Sequence, residues 1–158
     1  MAKPNHWLMK TEPDAFSIDD FLTRRNRTEG WNGVRNYEAR NLMRDRMKID
    51  DLVIIYHSNA TPSGAAGVAR VASAAYPDPD QFDPDSDYYD PKSTREQPRW
   101  MQVDVQFVRK FAHFVTLDEI RAEPRFDELA MLKRNRLSVT PLTAAEFRVF
   151  GELGDRRH

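Results

Sequence analysis

Residues Trp100 to Phe111 read WMQVDVQFVRKF, and within them Met101, Val103, Val105 and Phe107 alternate with Gln102, Asp104 and Gln106. A period of two is that of a strand with one face buried and the other wet. Working outward, Leu52 to His57 (LVIIYH) is apolar nearly throughout and rich in β-branched residues, as expected of a strand covered on both sides. Ala66 to Tyr76 reads as a further strand whose small residues let another backbone approach closely, and the 100–111 strand is expected to run antiparallel to it. His6 to Lys10 adds a first strand that stops before Pro13, and Arg136 to Thr140 a short last one.

The helical signals between these strands are brief. Ser17 with Asp20 three residues on is a short capping box ahead of Phe21 and Leu22. Asn36 caps a helix that places Ala39, Leu42 and Met43 on one face and Arg40, Arg44 and Lys48 on another, ending near Asp45. Thr116 opens a turn through Leu117 and Ile120, residues 126–132 give another, and Thr143 starts a final helix with Phe147, Phe150 and Leu153. Strands that do not alternate with long helices argue against a doubly wound parallel sheet. The expected class is α+β, a small mixed barrel-like sheet flanked by short helices, as one domain over residues 1–158.

With 40% hydrophobic residues in 158, such a domain can bury a substantial core, and nine Phe, five Tyr and three Trp argue against disorder. The longest apolar run, Leu52 to Tyr56, is far too short to span a bilayer, and MAKPNHW lacks an apolar signal region. A cytoplasmic protein with no membrane partner is expected. The absence of cysteine removes disulfides, thiol nucleophiles and thiolate metal sites together. The formal net charge of −1 argues against coating nucleic acid by electrostatics alone. Charge is nevertheless uneven. Between Phe21 and Lys48 lie Arg24, Arg25, Arg27, Arg35, Arg40, Arg44, Arg46 and Lys48 against Glu29, Glu38 and Asp45, whereas Pro77 to Asp90 carries Asp78, Asp80, Asp83, Asp85, Asp87 and Asp90 with no base. The irregular, proline-rich stretch 77–98 is too long for an ordinary connection, so it wraps the domain or acts as a lid, and Phe82, Tyr88 and Tyr89 are expected to tie it down.

Catalytic and metal motifs are thin. His6, His57, His113 and His158 show no metal spacing, no GxSxG elbow occurs, and GAAG at Gly64 to Gly67 lacks the remainder of a phosphate loop or dinucleotide fingerprint. Asp83, Asp85 and Asp87 lack the glycine and terminal Glu of a calcium loop, so a solvated acidic loop is favoured, and neither cofactor nor metal is expected. What remains is a set of flat and amide-bearing side chains. The stretch Gly30 to Leu42, GWNGVRNYEARNL, has the residue mix of a site more than of a core. Trp31, Tyr37, Tyr56 and Trp100 can stack on a base, and Asn32, Arg35, Asn36, Ser58 and Asn59 can satisfy its edge. One stacked base is worth about 1–3 kcal/mol, so a single extruded base can be held with little net charge.

Taken in order, WLMKTEP at Trp7, WNGVRNYEARN at Trp31, DLVIIYHSN at Asp51, AYPDPDQFDPDSDYYDPKS at Ala75, PRWMQVDVQFV at Pro98 and RLSVTPL at Arg136 resemble the EVE domain of the PUA-like superfamily over nearly the whole chain. The chain departs from that pattern with Thr11 in place of a common Ser, Asn32 in place of a common Asp, and GVARV at Gly67 where bulkier aliphatics are usual. The resemblance implies a PUA-like barrel flanked by helices, with a concave pocket for a modified base flipped out of a duplex. The architecture is similar to that of the YTH domain, which reads methylated adenine through an aromatic cage. Carried onto this chain, the resemblance implies a pocket of Trp31, Gly33, Val34, Arg35, Asn36, Tyr37, Tyr56, His57, Ser58, Asn59 and Trp100, with Lys10, Glu12, Arg136 and Ser138 at its rim.

Structural alternatives stand beside several of these. Trp100 can be core or lid packing, Tyr56 core, Lys10 with Glu12 an ion pair, and Arg35 an anchor for the acidic loop. The expected function is a non-enzymatic module that recognises a modified base, with DNA favoured over RNA, and with Arg24, Arg25, Arg40, Arg44 and Lys48 on flanking phosphates. The alternatives are a PUA-like RNA-binding module and a small hydrolase of modified nucleosides. For the hydrolase, Glu12 and His57 are the nominated general bases.

Overall fold

The computed structural model describes residues 5–156. Met1 to Pro4, the start of the stretch read as lacking a signal region, and His158 of the scattered histidines lie outside the described residues. In chain order the strands are β1 (His6–Thr11), β2 (Thr28–Gly30), β3 (Leu52–His57), β4 (Gly64–Val71), β5 (Tyr76–Pro77), β6 (Met101–Gln102), β7 (Asp104–Thr116) and β8 (Val139–Leu142). The helices are α1 (Tyr37–Asp45), α2 (Leu117–Ala122), α3 (Ala130–Lys133) and α4 (Ala144–Gly154). Single 3₁₀ turns include Ile18–Thr23, Arg25–Arg27 and Pro79–Phe82.

One mixed sheet runs β2-β7-β4-β3-β1-β8 and curls as a half-barrel. Its β1–β3 pair is parallel, with Thr11 beside His57, and its other neighbours are antiparallel. The expected strand 100–111 is split: Met101 and Gln102 belong to a separate ribbon in which Gln102, expected on the wet face, is buried, and the alternation holds from Val103 through Gln106 in a strand that starts at Asp104 and continues to Thr116. Other boundaries move. β4 begins at Gly64 and ends at Val71 rather than covering 66–76, with Tyr76 in a separate ribbon opposite Gln102. β8 is Val139–Leu142 rather than 136–140, because a proline that stops a central strand is tolerated at a sheet edge, where Pro141 lies opposite Trp7.

Alternation along the strands builds two cores. Trp7, Met9, Val53 and Ile55 face one side with Phe16, Phe21, Trp31, Ala39 and Met43. Leu8, Ile54, Tyr56 and Val68 face the other with Ile120, Phe126, Val149 and Phe150, under α2 and α4. The expected caps are present: Ser17 accepts from Asp20 N–H, Asn36 from Ala39 N–H, Thr116 from Glu119 N–H and Thr143 from Glu146 N–H. Small residues in β4 serve backbone approach, since a Cβ at Gly67 would meet the Arg109 carbonyl at 2.4 Å. Buried Asp51 fixes the entry to β3 by accepting from Trp7 Nε1 (2.9 Å), Asn5 N (3.0 Å) and Lys48 N (2.9 Å).

The stretch 77–98 wraps the first core as a strap. Buried Gln81 donates through Nε2 to the carbonyls of Asp78 and Trp100 (both 2.7 Å), and its Oε1 accepts from Ser93, Arg99 N and Trp100 N. Phe82 lies under Arg95, 4.7 Å from the guanidinium carbon to the ring centre, a contact within the strap and not the tie to the domain expected of it.

Candidate functional site

A cavity of about 640 Å³ opens on the side of the first core. Lys10, Thr11, Glu12, Ala15 and Phe16, from the end of β1 and the turn after it, form one wall. Glu29 to Arg35 form a second, Ser58 and Asn59 beyond β3 a third, and Asn135, Arg136 and Ser138 before β8 a fourth, with Tyr88 of the strap leaning over them. Two backbone hydrogen bonds join these walls, Ser58 N to Thr11 O and Lys10 N to Ser138 O (both 2.9 Å), and Trp31 N donates to Val103 O (2.9 Å), which holds the second wall to the residue before β7.

The second wall is shaped by Gly33 and Asp78. Gly33 has φ +79°, and a Cβ there would meet the Tyr88 ring at 2.7 Å, so both the turn and the ring above it require glycine. Asp78, with no exposed surface, accepts from Gly33 N (2.8 Å) and Arg35 Nη1 (2.9 Å) through one oxygen and from Asp80 N (2.8 Å) through the other. Arg35 also donates from Nη1 to the carbonyl of Val34 (3.1 Å) and from Nε and Nη2 to that of Tyr88 (3.1 and 2.9 Å). Its guanidinium thus fastens the strap to the loop, which is the structural alternative given for it. Asn32 donates to Asp80 and is fixed the same way.

Of the expected pocket and rim, Lys10, Glu12, Trp31, Asn32, Gly33, Val34, Arg35, Ser58, Asn59, Arg136 and Ser138 come together here. Five residues do not line the cavity, each for a definable reason. Tyr56 shares the strand face of Ile54 and is buried in the opposite core. His57 turns its ring toward Phe114 and accepts the Ile18 N–H at Nε2 (3.1 Å), capping the 3₁₀ turn. Asn36 spends its side-chain oxygen on the Ala39 amide. Tyr37 and Trp100 stack on one another outside the cavity, centroids 4.7 Å apart at 22°, and Trp100 Nε1 donates to Asp90 (2.8 Å). The nominated bases Glu12 and His57 are thereby separated, and Glu12 is bonded by Asn59 Nδ2 (2.7 Å). Lys10 and Glu12 make no ion pair with one another; the Lys10 ammonium, its pKa drawn down by burial, donates to the Asn135 carbonyl (2.8 Å).

Of the expected phosphate contacts Arg24, Arg25, Arg40, Arg44 and Lys48, three are committed within the protein. Arg44 pairs with Asp45 (2.8 Å), and Arg40 lies on Tyr37 and donates to the Arg99 carbonyl (2.7 Å). Arg24 pairs with Glu29 over the Phe16 ring. Sequence reasoning missed Tyr88, Phe16 and Asn135 as lining residues. Tyr88 was read only as a tie for the strap, yet 41% of its surface is exposed.

What the cavity offers chemically is a narrow aromatic and aliphatic interior of Trp31, Phe16 and Val34 beneath a polar rim. The hydroxyls of Ser58 and Ser138 and the guanidinium of Arg136 have no partner among the described residues, so they remain available to a planar polar ligand. Among the described residues no cluster of three or more His, Asp or Glu is placed to hold a metal ion.

The EVE domain family model matches residues 5–153. The chain belongs to the EVE domain family. Within it, this EVE domain is 40% identical to chicken thymocyte nuclear protein 1 over 90% of the chain, and spans 65% of that protein's length. The crystal structure of human THYN1, thymocyte nuclear protein 1, in complex with DNA containing 5-methylcytosine shares 37% identity, with a TM-score of 0.92 over 98% of this chain and 99% of that one. A Pseudomonas syringae protein of known structure is 40% identical at a TM-score of 0.88, covering 94% of this chain and 98% of its own.

One pH effect follows from the EVE fold itself. Burial holds the His57 pKa below its usual 6.5, favouring the neutral ring that accepts the Ile18 amide. The unfolded chain therefore binds the proton first, so this contribution to stability is complete above about pH 6.5 and is lost as pH falls below it. Urea midpoints measured from pH 7.5 to 5 should decline for the parent more steeply than for His57→Gln; parallel curves would refute the assignment.

Proposed function

We propose that this chain is a nucleic-acid-binding module that accepts a modified base of DNA, of the 5-methylcytosine kind, extruded from the duplex into the cavity described above. The observation that carries the reading is the cavity itself. Its volume of about 640 Å³ has room for one planar group, and it is lined by the aromatic rings of Trp31, Phe16 and Tyr88 and supplied with unpartnered hydroxyl and guanidinium groups at Ser58, Ser138 and Arg136. The likeness to a DNA-bound human relative over the full chain supports the same reading. Tyr88 is the ring with free surface for stacking, while Trp31, only 7% exposed, supports the floor. Methyl recognition falls to the apolar side chains of Phe16 and Val34, and edge recognition to the serines.

Titration of two duplexes that differ in one 5-methylcytosine, at fixed salt, tests this directly. Tighter binding of the methylated duplex is expected, and equal affinity overturns the proposal. Preferential displacement by a structured RNA would instead favour the RNA-binding alternative.

A further inference from the structure

Immediately beside the base-sized cavity lies a second cleft of about 730 Å³, walled by Arg25, Arg27 and Arg70 over a floor of Gln106 and Asp104. The two clefts share Gly30, so the chain from Arg25 to Gly30 edges the second cleft and continues through Glu29 to Arg35 as a wall of the first. We propose that the arginine-walled cleft is the seat of the DNA backbone, holding the phosphates of the strand whose base enters the neighbouring cavity. The inference rests on the proposed base-reading function and assigns its phosphate-binding face: of the phosphate contacts expected from the sequence it keeps Arg25, adds Arg27, and leaves out Arg40 and Arg44 of α1.

Three independent features support it. Asn26 and Arg27 are successive non-glycine residues with left-handed backbone (φ 55° and 50°), a conformation that persists only where the surroundings enforce it and that gathers at functional sites. Here the Asn26 carbonyl is pinned by Gln106 Nε2 (3.0 Å) and Thr28 Oγ1 (2.9 Å). Charge is the second feature. Arg25 has no partner among the described residues and Arg27 only rests over the Phe107 ring, while Arg70 pairs with Asp50 (2.7 Å) and the one carboxylate of the cleft, Asp104, accepts from Tyr76 OH (2.5 Å), so the free charge is that of Arg25 and Arg27. By contrast, Arg40 and Arg44 are spent within the protein. The third is polarity across the cavity: the strap that carries Tyr88 also carries Asp83, Asp85 and Asp87, all exposed, which repel a phosphodiester and leave the arginine side as the approach. Guanidinium forks match phosphate oxygens two at a time, and such contacts position the strand without reading its sequence.

The test is the salt dependence of duplex binding by Arg25→Gln/Arg27→Gln. Each phosphate contact contributes about 0.9 to the slope of log K against log salt, so the slope should fall by about 1.8, equally for methylated and unmethylated duplex, with the preference between them retained. Arg25→Lys/Arg27→Lys should restore most of the slope, and Arg121→Gln/Arg148→Gln, beyond the opposite core, should leave it unchanged. An unaltered slope in the first variant, or an equal fall in the last, overturns the cleft as the backbone seat. Loss of the base-reading proposal looks different: the parent shows no preference for methylated duplex, while the slope change is still read on unmethylated DNA. A parent that binds neither duplex overturns both.

Discussion

Replacing Asp78 by alanine is expected to lower the unfolding free energy by about 3–5 kcal/mol, the range for removing one partner of a buried ion pair. The carboxylate has no exposed surface and holds Gly33 N, Arg35 Nη1 and Asp80 N. Alanine leaves two amides and a largely shielded guanidinium without their acceptor. Because Asp78 joins the strap to the cavity loop, the loss also frees the Gly33 turn and the Tyr88 ring resting on it. Urea unfolding followed by fluorescence gives the free energy directly. Asp78→Asn, which keeps the shape but turns one acceptor into a donor, should cost about 1–3 kcal/mol. A loss below 1 kcal/mol for the alanine variant would show that the carboxylate does not organise the loop.

Trp31→Ala should cost a similar amount, about 3–5 kcal/mol, since the indole is nearly buried between Phe21 (6.2 Å, 19°) and Phe16 (5.9 Å, 84°). On the proposed function it should also erase the distinction between methylated and unmethylated duplex, measured at a temperature where the variant remains folded. Tyr88→Ala separates the two effects. That ring is partly exposed and rests on Gly33 under the Arg35 guanidinium, so stability should fall by about 1 kcal/mol, well short of the Trp31 loss, while affinity for the methylated duplex falls by the roughly 1–3 kcal/mol of one stacked base. Retained discrimination in both variants would remove the aromatic contribution to base recognition.

What could be read from sequence follows the range over which each feature is determined. The caps at Ser17, Asn36, Thr116 and Thr143 depend on residues three apart and are legible, as is the alternation from Val103 to Gln106, whereas the break that buries Gln102 in a ribbon with Tyr76 is not. Nor is Tyr56. Strict alternation places it opposite Ile55, but a strand apolar on both faces carries no local mark of which face meets the cavity. The same limit explains His57, whose partner Ile18 lies 39 positions away. Motif spacing located the Trp31 to Arg35 wall, whereas the work done by Arg35 depends on Asp78 and Tyr88, brought there by a strap whose path is set by buried Gln81. Arg25 and Arg40 looked alike in a basic stretch. Only folding shows that one faces a cleft and the other a carbonyl.

The parallel pairing of β1 with β3 has a consequence for how such a domain diversifies. Parallel neighbours require a long crossover, and here residues 12–51 provide it, carrying the 3₁₀ turns, β2, the Gly33 loop and α1. Both ends of that crossover are held in the middle of the sheet, by strands whose register is fixed by their own alternating cores. Substitutions within it therefore alter the cavity wall without shifting β1 or β3 by a residue. The crossover behaves as an exchangeable cassette, in which ligand preference can drift while the frame that presents it stays the same.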